Sequence, residues 1–390
     1  MKHRIVVLGA GYTGANAAGR LARLLHPEDV TITLVNAVPE FVERVRSHQW
    51  ATGQDLPRRD LREVFAGTGV DVRLARVTAV DADRRSVAVV DDQGSDEIGY
   101  DTLIYALGSV ATAHGVPGVA EHGFDIAGKQ SALRLHDRLG ALAPGATVAV
   151  VGGGLTGIEA ATEIAEARPD LAVTMITNGD LGARLSAKGR RHLRKVFDRL
   201  AITVLDNTDV ARVEPDGVRI VVDRLVPADI TVWTTGFAVH PIAAASTLAV
   251  ADTGQIVVDD TMRSVSHPDV YAVGDAGIAA GPGGKPLRMS CASGVPMAWQ
   301  AADAVAARLT GREVPRNTIR YVQQCISLGR RDGLIQLVSA DDQPKSFVLT
   351  GGLAAKYKEF ICKGAAWTID HPTALLPVRR RRVTAAPVTV

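Results

Sequence analysis

Residues 4–36 read RIVVLGAGYTGANAAGRLARLLHPEDVTITLVN, and this stretch decides the fold. It predicts a hydrophobic strand, a glycine turn, an alanine-rich helix and a second strand. In the turn, Gly9 permits a tight bend, Gly11 leaves room for a pyrophosphate, and Gly14 lets the helix lie close to the strand. The free N–H groups of that helix would point at the phosphates. The strand before the turn and the helix after it favour nucleotide binding over an empty structural turn.

The composition is that of an ordinary globular protein. Of the 390 residues, 46% are hydrophobic and 22% are charged, and the formal net charge of +2 argues against nucleic-acid or bulk membrane partners. Cys291, Cys325 and Cys362 are far apart and form neither a metal motif nor a disulfide framework. No stretch approaches about 18 apolar residues, and a core strand begins too near the N-terminus for a signal peptide. We therefore expect a cytoplasmic protein with free thiols and no metal.

A second copy of the opening pattern lies in the middle of the chain. A strand pattern at 147–151 is followed by GGGLTG at 152–157, then by a helix and a strand that reach residue 177. Two such units form an internal repeat, which predicts that one chain binds two dinucleotides. The predicted fold class is therefore α/β, with two Rossmann-like dinucleotide-binding domains.

Three further hydrophobic strands end in glycine: YALG at 105–108, WTTGF at 233–237 and YAVGD at 271–275. The strand ending at Gly108 would return the chain to the sheet of the first unit. The strand ending at Gly236 would join the sheet of the second unit, and the strand ending at Gly274 would join the first sheet again. We therefore predict a discontinuous first domain at 1–112 and 246–310, a second at 113–245, and an α+β C-terminal region at 311–390. Within these, the pattern predicts a basic helix at 180–200, strands at 312–349 and a helix at 354–367.

The two glycine turns and these three strand ends, in this order, resemble the glutathione-reductase-like FAD/NAD(P)-dependent flavoproteins. Within that superfamily the chain looks most like type II NADH dehydrogenases and AIF-like quinone reductases, through TLVNAVPEF and WATG at 33–41 and 50–53. It lacks the redox cysteine pair of the disulfide reductases. It also lacks the glutamine-rich quinone motif that type II NADH dehydrogenases carry on the last helix of the FAD domain, because the corresponding helix here carries Gln300 alone.

The resemblance implies FAD in the first domain and NADH or NADPH in the second. The FAD residues would be Gly9, Gly11, Tyr12, Thr13, Gly14, Asn36, Ala106, Gly108, Gly274, Asp275, Ser290 and Ala292. The NAD(P)H residues would be Gly152, Gly154, Leu155, Thr156, Gly157, Glu159, Asn178, Arg184 and Gly236. Asn36 stands where an acidic residue usually binds the adenosine ribose. Asn178 ends the second unit with no carboxylate to repel a 2′-phosphate, and Arg184 could pair with one, so both cofactors are expected to be accepted.

The resemblance implies hydride transfer from NAD(P)H to the flavin, and then electron transfer to a quinone-like or other small acceptor. Glu159 would lie near the nicotinamide, and His48 is a candidate to protonate a reduced carbonyl near pH 7, although a structural histidine is the plainer interpretation. Open alternatives are a ferredoxin-type reductase that uses arginine patches, a tailoring flavoenzyme, and a redox-sensing flavin/NAD-binding protein.

The C-terminal region is expected to form a homodimer interface. The helix at 354–367 and the arginines at 379–382 allow peripheral membrane binding, although a packed helix with a solvated tail is the favoured interpretation.

Overall fold

The computed structural model describes residues 1–374 and 380–384. Its first unit is β1 (His3–Leu8), α1 (Tyr12–Leu24) and β2 (Val30–Asn36), and β1 pairs with β2 in parallel along its whole length. Both strands are buried mainly at their C-terminal ends, where they carry the apolar runs IVVL at 5–8 and LV at 34–35. The opening stretch therefore folds as its sequence predicts.

The first sheet is completed by strands from distant parts of the chain. Beside β1 and β2, this sheet contains β3 (Val70–Leu74), β7 (Thr102–Tyr105) and β19 (Val270–Ala272). The strand order is β19-β7-β1-β2-β3, and all neighbours are parallel. Strands from before residue 112 and from after residue 246 thus share one sheet, while the predicted domain boundaries stay a prediction.

Between β2 and β7 the chain makes two excursions. The first is a short 3₁₀ turn (Arg44–Arg46) with α2 (Ser47–Ala51) and α3 (Leu61–Phe65). The second is an antiparallel sheet of β4 (Arg76–Asp81), β5 (Ser86–Asp91) and β6 (Gly94–Gly99). The first excursion matters for function, because it turns back toward the second unit.

The second unit repeats the first. It consists of β10 (Thr147–Val151), α6 (Leu155–Ala167) and β11 (Ala172–Ile176), in a sheet of order β12-β11-β10-β16-β9. The other strands of this sheet are β9 (Gly123–Phe124), β12 (Thr203–Leu205) and β16 (Ile230–Trp233). Around it lie β8 (Ser109–Ala111), α4 (Val119–His122), α5 (Lys129–Gly140), α7 (Ala187–Arg199), β13 (Val210–Glu214), β14 (Gly217–Ile220), β15 (Leu225–Pro227) and β17 (Phe237–Val239).

The basic helix predicted from residue 180 begins later, so the first part of that prediction is wrong. Residues 180–185 form turns, and Gly182 has a φ of +74° that a helix does not accept. The side chain of Ser186 then accepts a hydrogen bond from the backbone N–H of Gly189 and caps α7.

The C-terminal region packs beside α6. It follows β18 (Ile256–Val257), β20 (Gly277–Ile278) and α8 (Cys291–Leu309), and contains β21 (Gln323–Ser327), β22 (Gly333–Val338), β23 (Pro344–Thr350) and α9 (Gly352–Asp370). The strands predicted within 312–349 are thus present, and α9 extends beyond both ends of the predicted helix. Within the described residues, no helix combines the length and the apolar character needed to cross a membrane.

Candidate active site

The first glycine turn is closed on one side and open on the other. A Cβ on Gly9 would stand 2.4 Å from the carbonyl oxygen of Ala106, and Gly9 has a φ of +92°. A Cβ on Gly14 would stand 1.7 Å from the oxygen of Gly9, whereas a Cβ on Gly11 would meet nothing within 4 Å. Gly9 and Gly14 therefore serve packing, and Gly11 leaves space before the first turn of α1. This space fits a pyrophosphate at a helix N-terminus.

Asn36 supports this turn from the end of β2. Its Oδ1 accepts a hydrogen bond from the backbone N–H of Ala10 at 2.9 Å, and its Nδ2 donates one to the oxygen of Val38 at 2.8 Å. Both functional groups of the amide are thus engaged with the backbone of the protein itself. The contact of Asn36 with an adenosine ribose stays a prediction.

The other residues assigned to FAD gather at the same edge of the first sheet. The hydroxyl of Ser109, next to Gly108, donates a hydrogen bond to Asp275 at 2.6 Å. Gly274 and Gly294 both lie against Thr13, because a Cβ on either would stand less than 3 Å from the Thr13 methyl group. This close approach seats the start of α8, with Ser290 and Ala292, beside α1. Tyr12 is buried there with its hydroxyl unpartnered.

Arg44 is a candidate cofactor residue that our sequence analysis missed. Its guanidinium lies 5.5 Å from the ring centre of Phe237, and its Nη1 would lie 3.5 Å from a Cβ on Gly108. Among the described residues its guanidinium forms no hydrogen bond and no close ion pair. Burial lowers its pKa, and Asp275 and Asp125 partly oppose that shift. A half-buried guanidinium with free N–H groups, beside the predicted FAD edge, fits a phosphate group.

The second glycine turn repeats the geometry of the first. Gly152 has a φ of +115° and its Cβ would stand 2.8 Å from Thr234 Oγ1, and a Cβ on Gly157 would stand 1.9 Å from the oxygen of Gly152. A Cβ on Gly154 would again meet nothing within 4 Å. The open position precedes Leu155 and Thr156 in the first turn of α6. Gly236 follows β16, at the strand end that also carries Thr234.

The strand end that would face the ribose of the nicotinamide cofactor is polar. Asn178 and Arg184 are both exposed after β11, and neither has an ion pair within the described part of the chain. Asp180, the nearest carboxylate in sequence, accepts a hydrogen bond from Asn207 at 2.9 Å.

The two predicted catalytic residues, Glu159 and His48, lie together. Glu159 Oε2 is 3.8 Å from His48 Nδ1, while its Oε1 accepts hydrogen bonds at 2.9 Å from both the Ser327 backbone N–H and the Lys358 ammonium. His48 is 4% exposed, and its Nε2 is buried without a partner. The cluster therefore joins the first excursion, the second glycine unit and α9. Lys358 is a second functional candidate that the sequence did not reveal.

The electrostatics of this cluster bear on the role of His48 as a proton donor, which stays a prediction. Burial lowers the pKa of His48 to about 4, and the nearby Glu159 only partly opposes this shift. The imidazole is therefore neutral near pH 7 and is not a ready proton donor. Burial acts to raise the pKa of Glu159, but Lys358, His48 and the Ser327 amide more than offset it. Burial acts to lower the pKa of Lys358, and Glu159 raises it above its usual value. The pair is thus ionised.

A cavity of about 550 Å³ lies beside the cluster, between the first excursion, the turn after β21 and α9. Residues that line it include Arg46, Gln49, Ser327, Arg330, Lys358 and Glu359. Two of its arginines are held by acids: Arg46 pairs with Glu43 and Glu359, and Arg330 with Glu163 at 2.8 Å. The cavity wall is polar, and it also carries Arg331 and Lys356, which form no ion pair within the described part of the chain.

The three cysteines are free. Burial raises the pKa of Cys325 to about 11, and it also raises the pKa of Cys362. Their thiols are thus protonated near neutral pH and poorly nucleophilic.

Two glycine turns, each with an open position before a helix, fit a protein with two dinucleotide sites. The chain belongs to the pyridine nucleotide-disulphide oxidoreductase family, whose model matches residues 3–306. This membership confirms the predicted superfamily, the α/β fold and the dependence on FAD and NAD(P)H.

Individual relatives differ in their electron acceptors. An NADH dehydrogenase-like protein of Mycobacterium tuberculosis is 32% identical over 75% of this chain and 78% of its own. A demethylphylloquinone reductase of Synechocystis is 26% identical over 85% and 86%, and a probable ferredoxin reductase of Castellaniella defragrans is 27% identical over 95% and 91%. The NDH2 structure from Plasmodium falciparum with NADH has a TM-score of 0.80 at 14% identity, covering 97% and 99%, and shows a common fold.

Proposed function

We propose that the protein is an FAD-dependent NAD(P)H oxidoreductase that reduces a small quinone-class acceptor in the cavity beside Lys358. The observation that carries this proposal is the meeting of three elements at Glu159: the nucleotide-binding helix α6, the first excursion and α9. A cavity of about 550 Å³ lies within the usual range for small-molecule sites.

The residues assigned to each cofactor fit it. The open positions at Gly11 and Gly154 would each admit a pyrophosphate before a helix, and Arg44 would bind a phosphate at the first site. When bound, the flavin accepts hydride from the nicotinamide and supplies electrons to the acceptor. The chain holds both cofactors in place, buries the cluster at Glu159 away from water, and leaves the cavity for the acceptor.

We also propose that NADH and NADPH are both accepted. Asn178 provides no negative charge at the end of β11, and the exposed Arg184 is available to a 2′-phosphate. Asp180, already bonded to Asn207, would bind ribose hydroxyls less readily than a free carboxylate.

A ferredoxin partner is the alternative, as the Castellaniella relative suggests. The two arginine patches that would receive an acidic protein are partly neutralised. Arg59 pairs with Glu43 at 2.5 Å and with Asp370 at 2.6 Å, and Arg194 pairs with Asp206 at 2.5 Å. The cavity of about 550 Å³ therefore favours a small acceptor.

Peripheral membrane binding through α9 is a further part of this proposal. The helix buries one face, but Leu353 and Phe360 on another are each 69% exposed, and Tyr357, Ile361 and Trp367 accompany them. Lys356 and Lys363 flank this apolar face. Aromatic and aliphatic residues beside lysines suit the interface of an anionic bilayer. In the tail, Arg382 is exposed and pairs with Glu28 and Asp29, while Arg379 lies outside the described residues.

Anaerobic mixing of the purified yellow protein with NADH and with NADPH tests the function. We expect both to bleach the flavin, and short-chain quinones to restore its colour without any protein partner. A flavin that stays oxidised would refute the proposal, and reoxidation that requires ferredoxin would favour the alternative. A long-lived reduced complex that no acceptor discharges would favour a redox-sensing protein. Sedimentation would test the predicted homodimer.

A further inference from the structure

Two cations in the cavity wall have no partner in the described part of the chain. Arg331 lies in the turn between β21 and β22, Lys356 lies near the start of α9, and both line the cavity. Both residues are exposed, and neither side chain forms a hydrogen bond or an ion pair there. Their two elements are in direct contact, because a Cβ on Gly333 would stand 2.8 Å from the backbone nitrogen of Ala355. The two cations therefore lie at the same end of the cavity.

The acidic residues of the wall are engaged or placed elsewhere. Among the described residues that line the cavity, Glu359 already pairs with Arg46, and Asp55 lies on the first excursion, away from β22 and α9 in the sequence. The first turn of α9 carries no acidic residue, and its N-cap Gly351 provides no side-chain cap. Gly352 in that turn also lines the cavity, so the partial positive charge of the helix end adds to that of the two cations.

The cavity offers little apolar surface to a long hydrocarbon chain. Leu56 is the largest apolar side chain among its described lining residues, and Ala355 and Cys362 add only small surfaces. Sites for apolar small molecules are, in contrast, lined mainly by aliphatic and aromatic side chains. An acceptor with a lipid tail would therefore gain little inside the cavity, whereas an acceptor with a charged substituent would find partners in its wall.

We propose that the electron acceptor is a small anionic quinone, whose carboxylate or sulfonate is bound by Arg331 and Lys356. This inference rests on the proposed function and narrows the chemical class of the acceptor. Guanidinium and ammonium groups form charge-assisted hydrogen bonds to such anions. The anionic substituent is the same before and after reduction of the ring, so the two residues select the acceptor and take no part in electron transfer.

Two quinones that differ only in charge test this selection: a naphthoquinone with a propanoate side chain, and its primary amide. Because the ring is the same, a difference in turnover reports on the substituent. At low ionic strength we expect kcat/KM for the propanoate to be about tenfold higher than for the amide, mainly through KM. Added salt should shrink this advantage. The assays contain no lipid, so the lysines of α9 are not engaged by a membrane.

The double variant Arg331→Gln/Lys356→Gln should lose the preference for the propanoate. We expect the ratio of kcat/KM between propanoate and amide to fall about threefold in each single variant and about tenfold in the double variant. The matched control is Lys188→Gln/Lys195→Gln, which removes two exposed lysines of α7 outside the cavity wall and should keep the wild-type ratio. Flavin content and circular dichroism check that each variant is folded.

Naphthalene propanoate, which cannot be reduced, gives a readout that does not depend on turnover. Calorimetry with the oxidised flavoprotein should show binding about tenfold weaker in the double variant than in the wild type. Equal binding by the two proteins would overturn the inference, and so would equal kcat/KM of the wild type for propanoate and amide. These results differ from a failure of the proposed function, in which neither quinone would reoxidise the reduced flavin.

Discussion

Gly14 lies so close to Gly9 that a Cβ on Gly14 would stand 1.7 Å from the Gly9 carbonyl oxygen. Gly11 lies between them, and a Cβ on Gly11 would meet no atom within 4 Å. Its backbone is extended, with a φ of −71° that any residue can adopt. The turn therefore contains glycines of two kinds. Gly14 is needed for the close packing of α1, and we propose that Gly11 is needed for the ligand.

Gly11→Val and Gly14→Val should consequently fail in different ways. We expect Gly11→Val to give a folded, colourless protein with nearly wild-type helix content, because its side chain would fill only the pyrophosphate space. Gly14→Val should instead lower the yield of folded protein, since α1 could not approach β1. Flavin absorbance and circular dichroism separate the two results. A Gly11→Val protein that purifies fully yellow would refute the assignment of FAD to this turn.

Glu159→Gln should destabilise the protein at neutral pH. Removal of one partner from a buried ion pair costs about 3–5 kcal/mol, because the other charge is left uncompensated. The pKa of Glu159 is lowered in the folded state, so its stabilising effect is present above the usual value of 4.5 and is lost as the pH falls. Urea unfolding at neutral and acid pH should show the difference between wild type and variant shrinking in acid. A constant difference would contradict the ion pair.

His48→Gln tests whether the histidine acts as a proton donor. The folded state lowers the pKa of His48 from 6.5 to about 4, so the unfolded chain binds more protons in that range. The wild type should therefore lose stability as the pH falls through this window, and the variant should lose less. Quinone reduction at neutral pH should fall far less than the roughly 10²–10⁴-fold expected for loss of a general acid. A fall of that size would restore His48 as the proton donor.

Asn178→Asp should shift the cofactor preference toward NADH. A carboxylate at the end of β11 would accept hydrogen bonds from ribose hydroxyls and repel a 2′-phosphate. We expect kcat/KM for NADPH to fall by about tenfold or more, with little change for NADH. Arg184→Ala should also lower kcat/KM for NADPH in the same assay, because it removes a cation that would pair with the 2′-phosphate. If neither variant affects NADPH, the phosphate binds elsewhere.

Polar substitution of the exposed face of α9 should release the protein from membranes. Leu353→Ser with Phe360→Ser removes the two most exposed side chains of that face. We expect sedimentation with anionic vesicles to fall, while reduction of a water-soluble quinone continues. Val222→Ser is the control, because Val222 is also highly exposed but lies between β14 and β15. If the wild type, the double variant and Val222→Ser all bind the vesicles equally, this face of α9 is not the membrane contact.

Local patterns predicted what lies close in sequence. The two glycine turns, the strands beside them and the strand ends at Gly108, Gly236 and Gly274 follow from short hydrophobic runs that end in glycine. The start of α7 was predicted too early, because basic residues suit a helix and the turn at Gly182 was overlooked.

The acceptor side of the site was beyond such patterns. Lys358 and Glu159 are 199 residues apart, and nothing near either residue indicates that they meet. The sequence did place His48 and Glu159 among the candidates, but their shared burial, which decides the protonation state of His48, depends on three distant segments. Arg44 was visible as one of several arginines, and only the fold shows that it lacks a partner.

The position of α9 also affects how the protein matures during synthesis. Both glycine turns leave the ribosome well before α9, so the nucleotide-binding halves can fold while the chain is still growing. Lys358 leaves the ribosome later than both turns. We therefore expect a nascent chain that still lacks α9 to bind its cofactors but to reduce a quinone poorly, so that electron transfer waits for the synthesis of this helix.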